Sequence, residues 1–326
     1  MVVDDYCFVV KRINKLEKII LVRPRGFCAG VERAVNILDM VVKNYPKPIY
    51  CKHEIVHNRY VVDKFRSDGV IFVKDIEDVP DGSVLVLSAH GSSPIIYQRA
   101  KAKSIRIIDA TCPLVTKVHL EARRYQNEGY FIIYVGHKDH PETVGVLGEL
   151  QDDNFAFIET IEDVEKLRIP NDSKRIILLN QTTLSLLDIE GIKKCLKSKY
   201  KNLEFPLGKD ICYATTNRQM AVEKLTSVVD MILVVGSQTS SNSRRLVDLS
   251  ERHGKKTYLI DDQDDLKDEW FDGVKIVGIT AGASSPDELI ETITKVVIKR
   301  FGGTRQELKV VDEDIKFINY PTKINI

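Results

Sequence analysis

Three cysteines stand where a strand or turn gives way to a helical pattern. Cys28 lies in P-R-G-F-C-A-G-V-E-R-A, Cys112 in D-A-T-C-P-L-V-T-K-V and Cys212 in D-I-C-Y-A-T-T-N-R. A helix N-terminus favours the thiolate, which is the form of cysteine that binds metals. The pattern therefore predicts three metal-binding thiolates that are far apart in the sequence and brought together by the fold.

Each of these cysteines, taken alone, is equally well explained as a small buried residue. Cys51 falls in a predicted strand, Pro48–Cys51, and Cys195 in a predicted helix, Leu184–Lys197, so we interpret both as structural. Cys7 precedes the patterned part of the chain and is assigned no role. What favours a shared metal site is the equivalent position of the other three in an internal repeat.

The spacing of the cysteines limits the kind of metal site. No C-x-x-C pair occurs, which disfavours zinc fingers, thioredoxin-like redox pairs and ferredoxin-type spacings. A 4Fe-4S cluster normally takes four cysteines, so three ligands would leave one iron with an open coordination position. Such an iron could polarise a substrate oxygen while the cluster supplies electrons.

Histidines, one carboxylate and hydroxyl-rich turns are spread along the same chain. They comprise His53, His57, His90, His137, His140, Glu142, Thr182, Thr183, Ser240–Ser243 and Ser284–Ser285. Hydroxyl, amide and helix-start N–H groups bind anions, although each Ser or Thr taken singly is better explained as a helix N-cap. Their recurrence favours a phosphate site. We expect a structural role for His53 and His137.

Glu142 has two interpretations. An acid in the first turn of a helix is favoured by the helix dipole alone. A carboxylate facing a buried anion would have a raised pKa, which suits a general acid.

The elements that must position these residues are short β-branched runs that alternate with amphipathic segments. Strands are predicted at Ile19–Val22, Val84–Leu87, Ile105–Ile108, Phe131–Val135, Arg175–Leu179, Met231–Val235 and Val274–Gly278. This alternation predicts an α/β fold with mostly parallel sheets.

A repeat is visible when positions are counted from the cysteines. Gly136 and Asn180 lie 24 and 68 residues after Cys112, as Gly236 and Thr280 do after Cys212. We predict three related βα units around a pseudo-threefold axis, with strand carboxyl ends facing a central cavity. The units are residues 24–111, 112–211 and 212–302, and the strand at residues 19–23 joins the third unit. Residues 1–18 form an N-terminal extension, and residues 303–326 form a surface tail with a strand at Lys309–Val311.

Composition excludes several classes of protein. The 326 residues carry a formal net charge of +1, which predicts neither a nucleic-acid nor a membrane partner. No apolar run approaches the roughly 18 residues that span a bilayer, and the acidic N-terminus is unlike a targeting peptide. We expect a cytoplasmic location, and a monomer is the simplest assembly.

Nine motifs together resemble one family, the IspH or LytB family of 4-hydroxy-3-methylbut-2-enyl diphosphate reductases. Besides the three cysteine motifs they are H-E-I-V-H-N-R-Y-V-V-D, S-A-H-G, G-H-x-x-H-P-E, Q-T-T-L-S, V-V-G-S-x-x-S-S-N-S-x-R-L and T-A-G-A-S-x-P. The resemblance runs from about Ile19 to Phe301 and leaves the first 18 residues without an inherited role.

The resemblance implies the last step of the non-mevalonate isoprenoid pathway, in which an allylic hydroxyl is removed reductively to give isopentenyl and dimethylallyl diphosphates. It implies one 4Fe-4S cluster on Cys28, Cys112 and Cys212, with the substrate oxygen on the open iron and electrons from a flavodoxin or ferredoxin system. It assigns the diphosphate to His57, His90, Ser240, Ser241, Asn242 and Ser284. Glu142 would be the proton donor, with His140 beside it and Thr182 near the substrate hydroxyl.

Two other classes remain open from the residues alone. A zinc hydrolase would also use three ligands and an open position, although three cysteines are unusual for catalytic zinc. An iron-sulfur redox sensor would need a DNA- or protein-binding element, and no basic stripe or recognition helix is present in the sequence.

Overall fold

The structure is a computed structural model that describes residues 15–150, 154–170, 175–208 and 210–318. Cys7 and most of the N-terminal extension lie outside the described residues. The chain forms three parallel sheets with helices between their strands, as the sequence predicts. In the described part of the chain, no helix is both long enough and apolar enough to cross a membrane.

The described chain begins with β1 (Lys18–Arg23), a strand of the third sheet, and with helix α1 (Ala29–Asn44). The first sheet follows and comprises β2 (Ile49–Lys52), β3 (Val70–Val73), β4 (Val84–Leu87) and β5 (Arg106–Asp109), with helices α2 (Arg59–Ser67) and α3 (Pro94–Ala102). The sheet has the order β3-β2-β4-β5 and every pair is parallel. Ile49 and Cys51 pack against α1 while Tyr50 faces the opposite core, because successive strand residues point to opposite faces.

The second sheet has the order β7-β6-β8-β9, again parallel throughout. Its elements are α4 (Pro113–Asn127), β6 (Phe131–Val135), α5 (Pro141–Leu147), β7 (Phe155–Ile158), α6 (Ile161–Lys166), β8 (Ile176–Asn180), α7 (Leu186–Lys199) and β9 (Leu203–Glu204). All five residues of β6 are buried, which is typical of a parallel strand covered on both faces. Cys195 packs against this core, in keeping with a structural role.

The third sheet unites both ends of the described chain. Its elements are α8 (Tyr213–Thr226), β10 (Met231–Val235), α9 (Ser241–Arg252), β11 (Lys256–Ile260), β12 (Ile276–Ala281), α10 (Asp287–Phe301) and β13 (Thr304–Lys309). The order is β11-β10-β12-β1-β13, with Ile19 paired to Val277. The prediction that the first strand joins the third unit is therefore confirmed. Three short 3₁₀ helices, Ile76–Asp78, Gln263–Asp265 and Asp268–Phe271, complete the elements.

The segment after α10 differs from its prediction as a surface tail. Its strand is β13, which ends at Lys309, where the predicted strand begins, and it pairs along the whole of β1. Because β13 is an edge strand with mostly exposed side chains, it has no apolar alternation by which the sequence could reveal it. The outer limits of the three units stay a prediction.

Candidate active site

One central cavity, partly open to solvent, contains all twelve residues that the family resemblance places in the site. Its lining includes Cys28, His57, His90, Cys112, His140, Glu142, Thr182, Cys212, Ser240, Ser241, Asn242 and Ser284. The three sheets each contribute to this lining, so residues from all parts of the chain share one compartment.

The convergence follows from strand direction. The segments after nine of the strands enter the cavity: β1 leads to Cys28, β2 to His57, β4 to His90, β5 to Cys112, β6 to His140, β8 to Thr182, β9 to Cys212, β10 to Ser240 and β12 to Ser284. In parallel sheets all carboxyl ends lie at the same edge, where ligands bind. The fold therefore turns nine separate segments toward one space.

Each of the three cysteines is the residue immediately before a helix. Cys28 precedes α1, Cys112 precedes α4 and Cys212 precedes α8. The Cys212 sulfur accepts a hydrogen bond from the backbone N–H of Thr215 at 3.4 Å, and it lies 3.2 Å from the hydroxyl oxygen of the same residue. The structure therefore places each of the three cysteines at a helix N-terminus, as the sequence predicts.

Burial works against the predicted thiolates. It raises the pKa of Cys112 to about 12, with the neighbouring Cys28 adding to the shift and backbone N–H groups of α4 opposing it. Burial and Cys28 likewise raise the pKa of Cys212 to about 11. The helix N-termini are too weak to ionise these thiols, so a bound metal would have to displace their protons.

Gly30 leaves the space between two of the sulfurs free. A Cβ atom at this position would lie 2.4 Å from the Cys112 sulfur and 3.9 Å from the Cys28 sulfur. Any larger residue would therefore fill the gap between two thiols that belong to different sheets. The glycine is needed here for space and not for backbone conformation.

The chemistry of the donor set is suited to an iron-sulfur cluster. All three candidate ligands are cysteines that line one cavity. Soft thiolate ligands suit iron-sulfur clusters, and Cys28, Cys112 and Cys212 are the residues that would hold one.

Three histidines form a triangle beside the cysteines. The rings of His57 and His90 stack with centroids 4.1 Å apart, and His140 lies edge-on to both at 5.4 and 5.6 Å. Burial, followed by the neighbouring His57, lowers the pKa of His90 well below its usual value and that of His140 to about 3. His140 Nδ1 accepts the backbone N–H of Glu142 at 3.2 Å, so its neutral ring carries the proton on Nε2.

Glu142 is fully enclosed and is held by one partner. Thr182 donates its backbone N–H to Oε1 at 2.7 Å and its hydroxyl to Oε2 at 2.9 Å. Burial raises the pKa of Glu142 to about 7, with the two Thr182 bonds lowering it and Asp210 raising it. A carboxyl with this pKa is present as acid and as base at neutral pH, which is what proton transfer requires.

Two polar groups in the cavity have unpaired atoms, with no hydrogen-bond partner among the residues that the structure describes. They are the side-chain amide of Asn242, at both its nitrogen and its oxygen, and the Nε2 atom of His57, whose Nδ1 lies 2.9 Å from Glu54. Buried polar atoms are normally paired, and an unpaired one costs free energy. Both groups lie in the cavity lining, so a polar ligand in this space would satisfy them.

The serines are partly used by the protein itself. Ser240 caps α9, where its oxygen accepts the N–H of Ser243 at 3.2 Å, and Ser241 donates to the carbonyl of Thr183 at 3.3 Å. Ser284 donates to a backbone carbonyl of the β2–α2 loop at 2.8 Å. The N-cap explanation is therefore correct for Ser240, while the free N–H groups that begin α9 still make an anion site.

Several residues of the site were not predicted from the sequence. Tyr213 lines the cavity, and its hydroxyl accepts the N–H of Ala29 at 3.2 Å. Asp210 accepts the N–H of Asn180 at 3.1 Å and pairs with Lys117 at 3.0 Å. Both residues belong to the motif D-I-C-Y around Cys212, and this was their only signal in the sequence.

The two histidines expected to be structural lie beside the cavity and not in its lining. His137 contacts Glu159 at 2.5 Å and Arg245 of α9 at 2.8 Å. His53 lies 2.7 Å from the ammonium group of Lys52. His137 therefore links the second and third units in a neighbouring pocket, which shares His57 and His140 with the central cavity.

The chain is similar to a family of known proteins. The family model described as LytB protein matches residues 19–298. A Haemophilus influenzae (strain PittGG) protein named 4-hydroxy-3-methylbut-2-enyl diphosphate reductase is 46% identical and aligns over 95% of this chain and 98% of its own. A Klebsiella pneumoniae protein of the same name is 45% identical over 92% and 95%.

Two solved structures resemble this fold. A Plasmodium falciparum structure described as E-1-hydroxy-2-methyl-but-2-enyl-4-diphosphate reductase has a TM-score of 0.90 at 38% identity, covering 94% of this chain and 96% of that one. The second, described as (E)-4-hydroxy-3-methyl-but-2-enyl diphosphate reductase and the terminal enzyme of the non-mevalonate pathway, has a TM-score of 0.63 at 33% identity and covers 87% and 100%. Both relatives are reductases of the same type of allylic diphosphate.

Proposed function

This chain belongs to the LytB protein family, and from that premise we propose that it reduces 4-hydroxy-3-methylbut-2-enyl diphosphate to isopentenyl and dimethylallyl diphosphates. The observation that carries the proposal is the shared cavity, in which three cysteines, a protonatable carboxyl and unpaired anion-binding groups meet. A hydrolase or a sensor would not need that combination.

The reaction sets the demands on the cavity. Two electrons and two protons are consumed, the allylic C–O bond breaks, the oxygen leaves as water, and a C–H bond forms at one of two carbons. The site must therefore hold a diphosphate, supply protons at the hydroxyl end and receive electrons. We assign these three tasks to different walls of the cavity.

The cluster is proposed to be a 4Fe-4S centre on Cys28, Cys112 and Cys212, with one iron free of protein ligands. When bound, it would supply electrons singly and act as a Lewis acid toward the substrate oxygen. Gly30 keeps the space between two of the thiols open for it. The electrons would come from a flavodoxin or ferredoxin system, and the protein would work as a cytoplasmic monomer.

The diphosphate is proposed to bind at the start of α9. The first backbone N–H groups of this helix are free for an anion, and the side chains of Asn242 and His57 have unpaired polar atoms there. His90, Ser240, Ser241 and Ser284 complete the lining. Binding the anion at this end would direct the hydroxyl group toward the cysteines.

Glu142 is proposed to be the proton donor. Its raised pKa of about 7 keeps roughly half of the carboxyls protonated at neutral pH. Thr182, which holds both carboxyl oxygens, would orient the acid and relay its proton. His140 presents Nε2–H beside it and would hydrogen-bond the substrate.

The test is anaerobic purification followed by iron and sulfide analysis and turnover with a reduced one-electron donor. We expect about four irons and four sulfides per chain, a visible spectrum that shifts when substrate is added, and both products. A Cys112→Ser protein is the matched control and should lose iron and activity together. A zinc-containing, colourless protein, or an iron-loaded one that leaves the substrate unchanged, would refute the proposal.

A further inference from the structure

The chain after β13 does not leave the protein but crosses the helices that carry the cysteines. We call residues 310–318 the C-terminal strap. It starts where the N–H of Val310 donates to the carbonyl of Arg23 at 2.9 Å. It then contacts α8 through Glu313 and α1 through the carbonyl of Ile318. The matched family model ends at residue 298, so the strap lies beyond it.

Glu313 neutralises a fully buried guanidinium. Arg218 of α8 is 0% exposed, and its Nη1 lies 3.0 Å from a Glu313 oxygen. Asn217 donates to the same oxygen at 3.0 Å. In the part of the chain that the structure describes, Glu313 is the only acid in ion-pair contact with Arg218. A buried charge without its partner is strongly unfavourable, so the strap is needed to keep Arg218 in place.

Arg218 in turn fixes two of the cysteine segments. Its Nη2 and Nε donate to the carbonyl of Gly26 at 2.7 and 3.1 Å, in the loop that leads to Cys28. Its Nη1 donates at 3.0 Å to the carbonyl of Ala214, which lies in the first turn after Cys212. One guanidinium therefore holds the backbone beside two of the thiols.

A second buried arginine reaches the third cysteine segment. Arg33 of α1 is 4% exposed, and its Nη1 donates at 3.0 Å to the carbonyl of Thr111, directly before Cys112. Its Nε donates at 3.1 Å to the carbonyl of Ile318 in the strap. All three cysteine segments are therefore connected to the strap through buried guanidinium groups.

We propose that Glu313 is a positioning residue of the metal centre, and that the C-terminal strap holds the three cysteine segments in their arrangement through Arg218 and Arg33. The identity of the metal centre rests on the proposed function, while the hold on the cysteine segments does not. Without the Glu313 charge, Arg218 moves toward water and releases the carbonyl groups before Cys28 and after Cys212. The thiols are then exposed more often, and a bound cluster loses iron faster.

The test compares Glu313→Gln with Asp312→Asn. Both variants remove one negative charge from the strap, but the Asp312 side chain is 67% exposed and contacts only the exposed Lys309 among the ion pairs of the described chain. Two rates are measured: alkylation of each cysteine in the metal-free protein, read by mass spectrometry, and iron release to a chelator from the anaerobically loaded protein. Cys195, which lies far along α7, serves as the internal reference for alkylation.

For Glu313→Gln we expect Cys28 and Cys212 to be alkylated roughly tenfold faster than in the parental protein, and iron to be released faster by the same factor. This factor corresponds to the loss of one hydrogen bond to a charged group. Asp312→Asn and the Cys195 rate should stay at parental values. Rates for Glu313→Gln within twofold of Asp312→Asn in both measurements would overturn the proposal.

A chain that ends after Asp314 provides a second, independent variant. It keeps Glu313 but lacks the Ile318 carbonyl, so the Cys112 rate should rise while the Cys28 rate does not. Equal increases at every cysteine, Cys195 included, would indicate general loosening of the fold and would also count against the proposal. A parental protein that takes up no iron would refute the proposed function, yet the alkylation rates would still test the strap.

Discussion

Replacing Thr182 by valine tests the proton donor, because it removes one hydrogen bond and leaves the shape of the cavity nearly unchanged. The hydroxyl of Thr182 donates to Glu142 Oε2 at 2.9 Å, whereas its backbone N–H, at 2.7 Å from Oε1, would remain. A donated hydrogen bond stabilises the carboxylate over the acid. Its loss should therefore raise the pKa of Glu142.

The size of the change follows from the kind of bond. A hydrogen bond to a charged group contributes about 1.5–3 kcal/mol, and one pKa unit corresponds to about 1.4 kcal/mol. Starting from a pKa of about 7, the valine variant should titrate one to two units higher, at roughly pH 8–9. The variant should be slower at its optimum, since the relay hydroxyl is gone, yet remain active at higher pH than the parent.

The assay is the pH dependence of kcat/KM, which reports groups of the free enzyme, with a saturating one-electron donor. In the parent, the rate should fall as pH rises through about 7, because the protonated acid is lost. Thr182→Ser keeps the hydroxyl and should keep this limb, while Glu142→Gln should abolish it and lower the rate about 10²–10⁴-fold. An alkaline limb that stays in place or moves to lower pH in Thr182→Val would refute the assignment.

Four further outcomes are expected. Glu142→Gln should raise the free energy of unfolding at pH 8 by up to about 3 kcal/mol. The pKa of this carboxyl rises from 4.5 to about 7 on folding, so the acid stabilises the protein at low pH and that contribution is lost as pH rises through 7. Denaturant titration at pH 4 and pH 8 measures the difference, and equal effects of the substitution at both pH values would contradict it. Gly30→Ala should fold but fail to retain iron, because its Cβ would lie 2.4 Å from a thiol sulfur; normal iron content would disprove the crowding argument. Asn242→Leu should stabilise the substrate-free protein by about 1 kcal/mol, by removing unpaired polar atoms, while raising KM; thermal unfolding and kinetics test this, and an unchanged KM would remove Asn242 from the diphosphate site. Arg244→Gln combined with Arg245→Gln, in the pocket that adjoins the cavity at His57 and His140, should lower kcat/KM several-fold at low salt and little at high salt; a defect independent of salt would argue against electrostatic attraction of the substrate.

Much of the fold was predictable because its strands are buried on both faces. Val84–Leu87, Phe131–Val135 and Met231–Val235 have the predicted bounds, since an uninterrupted β-branched run flanked by turn residues is a strong strand signal. The predicted strand Val274–Gly278 is observed at Ile276–Ala281. Gly278, taken as the end of the strand, lies inside it, because Ile279, Thr280 and Ala281 continue the pairing with β10.

The edge strand β13 shows where such reasoning stops. Its sequence T-R-Q-E-L-K is predominantly polar, and its side chains form ion pairs such as Arg305 with Glu291 and with Glu307. Backbone pairing with β1 defines this strand, and backbone pairing does not depend on the hydropathy of the side chains. Tertiary contacts, and not the local sequence pattern, therefore determine that this segment is a strand.

For the site, residue type and spacing predicted which side chains meet but not what burial does to them. The helix N-termini at Cys112 and Cys212 were expected to favour thiolates, yet burial raises both pKa values. Arg218 is the last residue of the motif around Cys212, but the motif did not indicate that it is buried, because an arginine in a helix is ordinarily a surface residue. Its role depends on Glu313, which is distant in sequence, and only the folded chain brings the two together.

The position of β1 has a consequence for biosynthesis. This strand carries Cys28 at its carboxyl end, yet both of its partners, β12 and β13, are made near the end of translation, as the pairing of Lys18 with Ile276 and Thr304 illustrates. Pairing between strands so distant in the chain is slow to form. Until β12 and β13 have been synthesised, Cys28 has no sheet to hold it, so we expect any metal to be delivered only after these strands have paired with β1.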